Sequence, residues 1–370
     1  MNRQGHKRII ISGGGTGGHI FPAISIANAL RRIDAETEIL FVGALGRMEM
    51  EKVPDAGYRI IGLPVEGLKR EFTLKNLSVL FKLYKSLKQA KKILKEFLPD
   101  VVVGVGGYVS GPVLRQAGKM GIPTLIQEQN SYAGVTNKLL ARKASTICVA
   151  YEGMEKYFPA ERIIMTGNPV RQNLENLESL KNEAVSFFNL RAGKPVVLVV
   201  GGSLGAGSIN KSLSENITRL GNSECQWLWQ TGKYYFESVR ERVALTGFDN
   251  ITVNGFINRM DYAYAAADII VSRAGAGTIS ELCLVGKPAI LVPSPNVAED
   301  HQTRNALALS DKGAAVLIPD RQAAITLADE TLKLISDLDR RRTLSEKISK
   351  LAFRNSDIRI AEEVLKLAER

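Results

Sequence analysis

The sequence predicts an α/β protein made of two doubly wound, parallel-sheet domains. The chain has 370 residues, too many for one ordinary core and suited to two domains of about 150 to 200 residues each. Short apolar runs alternate with helical segments along its length, which is typical of parallel sheets covered by helices on both faces. In each half an apolar run leads straight into a glycine-rich turn, at residues 13–19 and again at residues 201–208.

Ten apolar runs are predicted as buried strands. They are KRIIIS, EILFVG, DVVVGVG, TLIQEQ and TICVAY in the first half, and PVVLVVGG, CQWLWQTG, NITVNGFI, DIIVSRAG and PAILVPSP in the second. We place the domain boundary within TGNPVR, where glycine and proline interrupt the pattern. The first domain then spans residues 1–166 and the second residues 167–354, with an amphipathic helix at 355–370 expected to return to the first domain.

The composition indicates a globular protein of a reducing compartment. Hydrophobic residues make up 45% and charged residues 24% of the chain, and no apolar run approaches the roughly 18 to 20 residues that span a bilayer. No secretory signal pattern follows the basic start, so we expect the protein to stay in the cytoplasm. Cys148, Cys225 and Cys283 lie far apart in apolar segments, and we expect reduced core thiols.

The formal net charge of +11 favours an anionic partner. Nucleic acid is not expected, because aromatic residues are only 6% of the chain and no recognition motif is present. Residues 73–97 carry seven lysines against one glutamate. We predict that this helix places Leu77, Leu80, Tyr84 and Leu87 on the core. Its other apolar residues, Val79, Phe81 and Leu83, together with Lys82, Lys85 and Lys92 would then contact anionic lipid, unless the helix is simply a solvated charged surface.

Both glycine-rich turns are candidate phosphate sites, because glycine lets the backbone approach a ligand and a helix start favours an anion. A tight turn without a ligand remains the alternative for either one. A dinucleotide fold is not indicated, since the second strand ends in FVGALG without a carboxylate for a ribose. A P-loop is not indicated either, since neither turn runs directly into a Lys-Ser or Lys-Thr pair.

A third candidate loop is SRAGAGTISE, residues 272–281, directly after a predicted strand. The amides of Gly277 and Thr278 would lie at a helix start, where a phosphate can bind. Glu281 would accept hydrogen bonds from a ribose diol, or would only cap the helix. A further polar loop, SPNVAEDHQTRNA, follows the strand PAILVP and lies at another candidate ligand edge.

Seven motifs in order closely resemble the MurG family of bacterial glycosyltransferases. They are GGGTGGH, GGYVSGP, QEQNSYAGVTNK, GNPVR, GGSLGA, RAGAGTISE and EDHQTRNA, and together they span nearly the whole chain. The resemblance implies the GT-B fold, two Rossmann-like domains facing a cleft. It also implies inverting transfer of N-acetylglucosamine (GlcNAc) from UDP-GlcNAc to a MurNAc-pentapeptide acceptor linked to undecaprenyl diphosphate. Such an enzyme works at the cytoplasmic face of the inner membrane as a peripheral protein.

The resemblance also assigns roles to residues at matching positions. On the donor side it implies diphosphate contacts at Ser203 and neighbouring amides, with Arg171 and Asn210 nearby, and uracil contact through the Ile257 backbone. It also implies that Arg273, Thr278 and Glu281 hold phosphate and ribose and that Gln302 contacts the sugar. On the acceptor side it implies Thr16, Gly17, Gly18, His19, Tyr108, Glu128, Asn130 and Asn137. Leu204 stands where the family often has glutamine, so a polar contact from that side chain is not expected.

His19 is our first candidate for the base that takes the proton of the acceptor hydroxyl, since an imidazole titrates near neutral pH. A role as a ligand of the acceptor diphosphate, or a structural role, is the alternative, and Glu128 is the reserve base. No cofactor or metal is implied. The triplet Asp337-Leu338-Asp339 lies in a late charged stretch and is interpreted as solvated surface rather than as a cation site.

Other functions remain open at this point. One is another GT-B enzyme, such as a UDP-GlcNAc 2-epimerase or a diacylglycerol glycosyltransferase. A different class is a non-catalytic subunit that binds a nucleotide sugar or a membrane. Turnover of the donor would distinguish the enzymes from such a subunit.

Overall fold

The protein is described by a computed structural model that covers residues 6–66, 75–170, 174, 177–202 and 205–369. The chain divides into two compact units. Unit 1 consists of residues 1–170 and 354–370, and unit 2 of residues 171–353.

Unit 1 is built on a seven-stranded sheet in which every neighbouring pair is parallel. Its strands are β1 (Arg8–Ser12), β2 (Glu38–Ala44), β3 (Arg59–Leu63), β4 (Val101–Gly104), β5 (Thr124–Glu128), β6 (Thr146–Val149) and β7 (Ile163–Met165). The order is β3-β2-β1-β4-β5-β6-β7. The five strands predicted in this half are present, and the two that were not predicted, β3 and β7, are the edges of the sheet.

The helices of unit 1 lie between these strands. They are α1 (Gly17–Ile33), α2 (Glu49–Asp55), α3 (Lys75–Phe97), α4 (Ser110–Lys119) and α5 (Val135–Leu140). Ile9 and Ile11 pack in one cluster with α1, whereas Ile10 packs in another with Leu94 of α3. Both faces of the sheet are therefore buried, which is why its central strands are continuous apolar runs.

Unit 2 repeats the plan with a six-stranded parallel sheet. Its strands are β8 (Val196–Val200), β9 (Gln226–Gln230), β10 (Ile251–Asn254), β11 (Ile269–Ser272), β12 (Ala289–Leu291) and β13 (Val316–Leu317), in the order β10-β9-β8-β11-β12-β13. The five predicted strands are present again, and the short edge strand β13 was not predicted. These observations confirm the predicted fold class of two doubly wound parallel sheets.

The helices of unit 2 cover its sheet, and one further helix follows them. They are α6 (Lys181–Phe187), α7 (Gly207–Glu215), α8 (Ile217–Gly221), α9 (Phe236–Ala244), α10 (Met260–Ala266), α11 (Ala276–Val285), α12 (His301–Ser310), α13 (Asp320–Ser336) and α14 (Leu338–Ser349). The last helix, α15 (Ser356–Ala368), belongs to unit 1. Its Ile360 and Val364 pack in the cluster that contains Ile9, and its buried Asp357 pairs with Arg32.

The core-facing side of α3 differs from the predicted one. Val79 is buried and Tyr84 is 66% exposed, so the predicted placement of these two side chains was wrong. The side chains of Leu77 and Leu80 lie outside the described residues. The buried side instead follows Val79, Ser86, Ala90, Ile93 and Phe97, at the spacings of three, four and seven that one helix face requires. Ser86 can lie on this side because its hydroxyl donates to the Lys82 carbonyl at 2.7 Å.

Strand order places a crevice at one edge of each sheet. β1 and β4 are neighbours, but the chain continues from β1 towards one edge of the sheet and from β4 towards the other. The loops that follow such a pair diverge and leave a crevice at the carboxyl ends of the strands. The same holds for β8 and β11, so each glycine-rich turn lies beside a crevice of its own sheet.

Candidate active site

The first glycine-rich loop connects β1 to α1 at the crevice of unit 1. Gly15 has a φ of +87°, a conformation that favours glycine. A Cβ atom on Gly14 would lie 2.0 Å from Glu49 Oε1, so a side chain has no room there. Thr16 is the N-cap residue of α1, and the helix begins at Gly17. The amides of this helix start and the helix dipole favour an anion at this edge.

His19 is the third residue of α1 and its ring is oriented by the loop. Nδ1 lies 3.1 Å from the carbonyl oxygen of Gly14 and 3.2 Å from Thr16 Oγ1. A carbonyl oxygen only accepts, so the bond to Gly14 requires the proton on Nδ1, and a neutral ring then carries its lone pair on Nε2. The Nε2 edge lies against Gly106, where a Cβ atom would come within 2.8 Å of it.

Glu49, the first residue of α2, lies beneath this loop and is completely buried. Its Oε2 accepts a hydrogen bond from the Gly15 amide and its Oε1 one from the Ala44 amide, each at 3.0 Å. Nothing in the sequence singled out Glu49, because a glutamate between two methionines at a helix start has the pattern of an ordinary surface residue. Its role depends on α2 being folded back under the glycine loop.

The loop after β4 packs against the first glycine-rich loop. Gly106 and Gly107 have φ values of +93° and +81°. A Cβ atom on Gly107 would lie 2.4 Å from the Gly14 carbonyl oxygen, so the two loops pack backbone against backbone. Tyr108 follows and is 63% exposed, which makes its ring accessible to a ligand at this edge.

Glu128 ends β5, and its carboxylate is engaged on both oxygens. Oε1 accepts from the amide and the side chain of Asn130, at 3.0 and 3.3 Å. Oε2 accepts from the Gly134 amide at 3.0 Å and from Asn137 Nδ2 at 2.9 Å. Burial raises the pKa of Glu128, while these hydrogen bonds lower it. Because four N–H groups donate to it, the Glu128 carboxylate organises the 129–137 loop. This favours a structural role for Glu128 over the predicted role as reserve base.

A buried amide cluster that the sequence did not reveal adjoins Glu128. Gln127 Nε2 donates to Asn168 Oδ1, and Asn168 Nδ2 donates to the Gln129 carbonyl, both at 2.9 Å. Gln129 Nε2 donates to the Val105 carbonyl at 2.8 Å and also to Gln127 Oε1. The cluster ties the end of β5 to the loop after β4 and to the segment that follows β7.

In unit 2 the second glycine-rich loop connects β8 to α7. Gly202 and Gly205 both have a φ of +83°, and a Cβ atom on Gly205 would lie 2.1 Å from the Thr231 carbonyl oxygen. The backbone therefore needs glycine here for conformation and for space. Three predictions, for Ser203, Leu204 and Arg171, lie outside the described residues.

Arg273 follows β11 and is engaged within unit 2. Its NH1 donates to Asp320 Oδ1 at 2.5 Å and to the Val292 carbonyl at 3.0 Å, and its NH2 donates to Ser208 Oγ at 3.1 Å. The side chain is only 16% exposed. A phosphate contact of Arg273 stays a prediction. These bonds favour a positioning role, because they join the starts of α7 and α13 to the loops after β11 and β12.

Glu281 is the sixth residue of α11, and no acidic residue occupies the first turn of that helix. The alternative interpretation of Glu281 as a helix cap was therefore wrong. Its Oε2 accepts a hydrogen bond from the Tyr264 hydroxyl at 2.9 Å. Thr278 is in the first turn of the same helix, so the two residues lie one turn apart at the crevice of unit 2.

Gln302 holds two loops of this crevice together. Its Oε1 accepts from the Ser294 amide at 2.8 Å and from the Ala274 amide at 3.3 Å. The two residues that precede α12, Glu299 and Asp300, have φ values of +55° and +52°. Consecutive non-glycine residues in this conformation are strained, and such strain is concentrated at functional sites.

Ile257 and Asn210, two residues predicted to contact the sugar donor, form hydrogen bonds within unit 2. The Ile257 amide donates to Gln230 Oε1 at 2.8 Å, and Gln230 Nε2 donates to the Gly202 carbonyl at 3.2 Å. Gln230, which the sequence did not single out, thus links the glycine loop to the segment after β10. Asn210 is 2% exposed; its Oδ1 accepts from Trp229 Nε1 and its Nδ2 donates to the Thr231 carbonyl. These bonds favour a structural role for Asn210.

The exposed side of α3 is both apolar and basic. Phe81 and Tyr84 are 60% and 66% exposed, and Lys85 Nζ lies 5.4 Å from the Phe81 ring centroid. Two of the three predicted lipid-contacting lysines have carboxylate partners. Lys82 pairs with Glu66 at 2.6 Å and Lys92 with Glu96 at 3.6 Å. These pairs reduce the charge available to an anionic surface, so Lys85 is the strongest of the three candidates.

Over the part of the chain that the structure describes, no group of three or more His, Cys, Asp or Glu side chains is placed to hold a metal ion. Asp337 caps α14 by accepting from the Arg340 amide at 2.9 Å. All three cysteines are buried and unpaired, and burial raises the pKa of Cys148 and of Cys283 to about 12. Within the same described residues no helix is long and apolar enough to cross a membrane.

Comparisons with known proteins identify the family of this chain. Residues 9–149 match the model of the glycosyltransferase family 28 N-terminal domain, and residues 196–362 match that of its C-terminal domain. A solved structure described as MurG from Acinetobacter baumannii superimposes with a TM-score of 0.80 at 29% identity, over 97% of this chain and 99% of that one. A UDP-GlcNAc 2-epimerase from Neisseria meningitidis superimposes with a TM-score of 0.66 over 97% and 100% of the chains. At 16% identity that likeness shows the fold alone.

Two relatives carry the full name UDP-N-acetylglucosamine–N-acetylmuramyl-(pentapeptide) pyrophosphoryl-undecaprenol N-acetylglucosamine transferase. The one from Bacteroides thetaiotaomicron is 59% identical over 98% of both chains. The one from Cytophaga hutchinsonii is 52% identical over 99% of this chain and 98% of its own. The chain therefore belongs to glycosyltransferase family 28 and, within it, to the MurG family.

Proposed function

We propose that this protein transfers GlcNAc from UDP-GlcNAc to the 4-hydroxyl of MurNAc in undecaprenyl-diphosphoryl-MurNAc-pentapeptide, with inversion at the anomeric carbon. This reaction converts lipid I to lipid II in peptidoglycan synthesis. The observation that carries the proposal is the Bacteroides relative named for this transfer, 59% identical over 98% of both chains. A glycine loop at the crevice of each sheet is consistent with two ligands that each contain a diphosphate.

The donor binds in unit 2 in this proposal. Glu281 accepts hydrogen bonds from the ribose hydroxyls, held in place by Tyr264. The diphosphate lies against the amides at the starts of α7 and α11, where helix dipoles compensate its charge. The Ile257 amide already bonds to Gln230, so its carbonyl is the group that contacts uracil. Gln302 contacts the sugar through Nε2, since Oε1 holds two backbone amides.

The acceptor binds in unit 1, with its diphosphate at the loop that contains Thr16, Gly17 and Gly18. Tyr108 is the exposed ring beside this loop. Asn130 and Asn137 contribute indirectly, because both bond to Glu128 and so shape the 129–137 loop. This unit also contains α3, whose Phe81, Tyr84 and Lys85 contact the anionic lipid surface from which a lipid-linked acceptor is taken. The protein then acts as a peripheral protein at the cytoplasmic face of the inner membrane.

His19 acts as the general base. As the MurNAc 4-oxygen forms its bond to the anomeric carbon, His19 Nε2 takes the hydroxyl proton and the bond from that carbon to the diphosphate oxygen breaks. UDP leaves with the bonding electron pair. The Gly14 carbonyl bond to Nδ1 supports this role, since it keeps the proton on Nδ1 and stabilises the imidazolium that forms. No cofactor is required for these steps.

The alternatives make different predictions. A 2-epimerase would convert UDP-GlcNAc without an acceptor, a diacylglycerol glycosyltransferase would use a lipid without a diphosphate, and a non-catalytic subunit would leave the donor unchanged. The test is an assay with radiolabelled UDP-GlcNAc and either lipid I, a water-soluble short-chain analogue of lipid I, or diacylglycerol. We expect transfer to the first two only. Donor conversion without acceptor, or no transfer to lipid I, would contradict the proposal.

A further inference from the structure

The carboxylate of Glu49 and the imidazole of His19 bond to opposite sides of one peptide unit. Glu49 Oε2 accepts from the Gly15 amide at 3.0 Å, and the Gly14 carbonyl oxygen accepts from His19 Nδ1 at 3.1 Å. The Gly14 carbonyl and the Gly15 amide belong to the same peptide group. That group is trans, because the described backbone contains no cis peptide bond, so its C=O and N–H point in opposite directions.

We propose that Glu49 is a positioning residue that acts on His19 through the Gly14–Gly15 peptide. A carboxylate that accepts from a peptide N–H polarises the peptide and makes its carbonyl a stronger acceptor. The carbonyl in turn holds the proton on His19 Nδ1 and stabilises the charged ring. The arrangement resembles an acid–histidine pair with a peptide group inserted between its members. The proposal rests on the proposed role of His19 as the base.

The surroundings of Glu49 hold its carboxylate firmly against the Gly15 amide. The side chain is 0% exposed, and both of its oxygens accept backbone amides, from Gly15 and Ala44. Cβ atoms on Gly14 and Gly43 would lie 2.0 and 2.7 Å from Glu49 atoms, so glycine at these two positions makes room for the Glu49 side chain. A buried carboxylate beneath a loop proposed to bind a diphosphate would repel that ligand, so its position there is explained by a role towards the histidine rather than towards the ligand.

Uncharged groups also contact the imidazole ring of His19. Gly14, Thr16 and Gly106 contact the imidazole, and none of them has a titratable side chain. On the neighbouring elements Tyr108 is largely exposed, and both oxygens of Glu128 are engaged with its own loop. The acceptor diphosphate is the other charge that we expect near His19, and measurements on the ligand-free protein exclude its effect.

The first test uses the unmodified full-length chain. NMR follows the titration of His19, one of three histidines, together with the Gly15 amide resonance; a His19→Gln variant assigns the ring signals. Protonating His19 strengthens its bond to Gly14, so the Gly15 amide is expected to shift with the same midpoint as the ring. The Arg8 amide, which donates to Asp100 Oδ2 at 2.7 Å, is the matched control and is expected not to follow. A Gly15 amide that ignores the His19 titration would overturn the proposal.

The second test compares Glu49→Gln with Asp100→Asn, which removes a carboxylate from a backbone amide elsewhere in unit 1. Glu49→Gln is expected to move the His19 midpoint, and the acidic limb of the kcat profile, to lower pH. It is also expected to lower kcat about 3- to 10-fold with the KM for UDP-GlcNAc unchanged, as a weaker base does. Asp100→Asn should change neither the midpoint nor kcat. An unchanged midpoint in folded Glu49→Gln overturns the proposal.

The two tests separate this inference from the proposed function. If His19→Ala keeps nearly full kcat, His19 is not the base and the catalytic part of the inference fails. The link between Glu49 and His19 is still decided by the ligand-free titrations, which need no turnover.

Discussion

The Tyr264 hydroxyl donates a hydrogen bond of 2.9 Å to Glu281 Oε2. Tyr264 is 2% exposed and belongs to α10, whereas Glu281 belongs to α11, so the bond fixes a carboxylate on one helix from the other. A carboxylate held in this way loses little further conformational entropy when a ligand binds to it.

The first prediction concerns this carboxylate. We expect Glu281→Ala to weaken UDP binding by about 1.5 to 3 kcal/mol, the range for hydrogen bonds to a charged group, and to reduce discrimination against 2′-deoxy-UDP. Tyr264→Phe, which keeps the carboxylate but removes its support, should weaken binding less. Isothermal titration calorimetry with UDP and 2′-deoxy-UDP measures both effects. Normal UDP binding by folded Glu281→Ala would remove Glu281 from the donor site.

The second prediction concerns His19. We expect His19→Ala to lower kcat by about 10² to 10⁴, as loss of a general base does, without changing the dissociation constant for UDP-GlcNAc. Steady-state kinetics with the soluble acceptor and calorimetry with the donor measure the two quantities. A variant that mainly raises the acceptor KM while kcat stays within a few fold would make His19 a ligand of the acceptor diphosphate.

The third prediction concerns metal ions. We expect most of the activity to persist in EDTA. In the proposed mechanism helix-start amides compensate the charge of the leaving diphosphate, and no suitable cluster of metal ligands occurs in the described parts of the chain. Transfer is measured after dialysis against EDTA and again after adding Mg²⁺ or Mn²⁺. Complete loss that Mn²⁺ restores would contradict the metal-free interpretation.

The fourth prediction concerns the exposed side of α3. Lys88 is a second exposed lysine of this helix and replaces Lys82 and Lys92, which pair with carboxylates. Lys85→Glu combined with Lys88→Glu should weaken binding to vesicles of anionic lipid by about 1 kcal/mol per lysine, whereas turnover of the soluble acceptor should be unchanged. The matched control is Lys333→Glu with Lys350→Glu, two exposed lysines of unit 2 with the same change in charge. Co-sedimentation with vesicles measures the binding. Equal binding by the two double variants would make α3 an ordinary charged surface.

The fifth prediction concerns Lys287, whose ammonium donates to the Tyr264, Ala265 and Ala267 carbonyls at 2.5 to 2.8 Å. Burial lowers the pKa of Lys287 from 10.5 to about 8. Between these two values the unfolded chain binds more protons than the folded one, so this residue makes the free energy of unfolding rise with pH there.

Lys287→Met should lack that contribution. Urea unfolding of both proteins from pH 7.5 to pH 10.5 measures this contribution. The free energy of unfolding of the wild type, minus that of the variant, is expected to increase with pH. A difference that decreases with pH would mean that the three carbonyl groups stabilise the ammonium more than burial destabilises it.

Several features of this protein could be predicted from the sequence alone. The central strands of both sheets, such as β1 and β8, were predicted because burial on both faces makes them continuous apolar runs. The glycine loops were predicted because their turns need glycine at positions such as Gly15 and Gly205. Burial of the three cysteines followed from their apolar surroundings. Each of these features depends on a short stretch of consecutive residues, so the sequence around it is enough to predict it.

Only the tertiary structure decided the rest. The edge strands β3, β7 and β13 were missed because partial exposure leaves them short or weakly patterned. The buried side of α3 depends on which residues the rest of unit 1 covers. Arg273 meets Asp320 47 residues further along the chain, and Glu49 reaches Gly15 across 34 residues. Such contacts are set by how the strand order brings distant loops to one edge of a sheet, and no periodicity in the sequence encodes them.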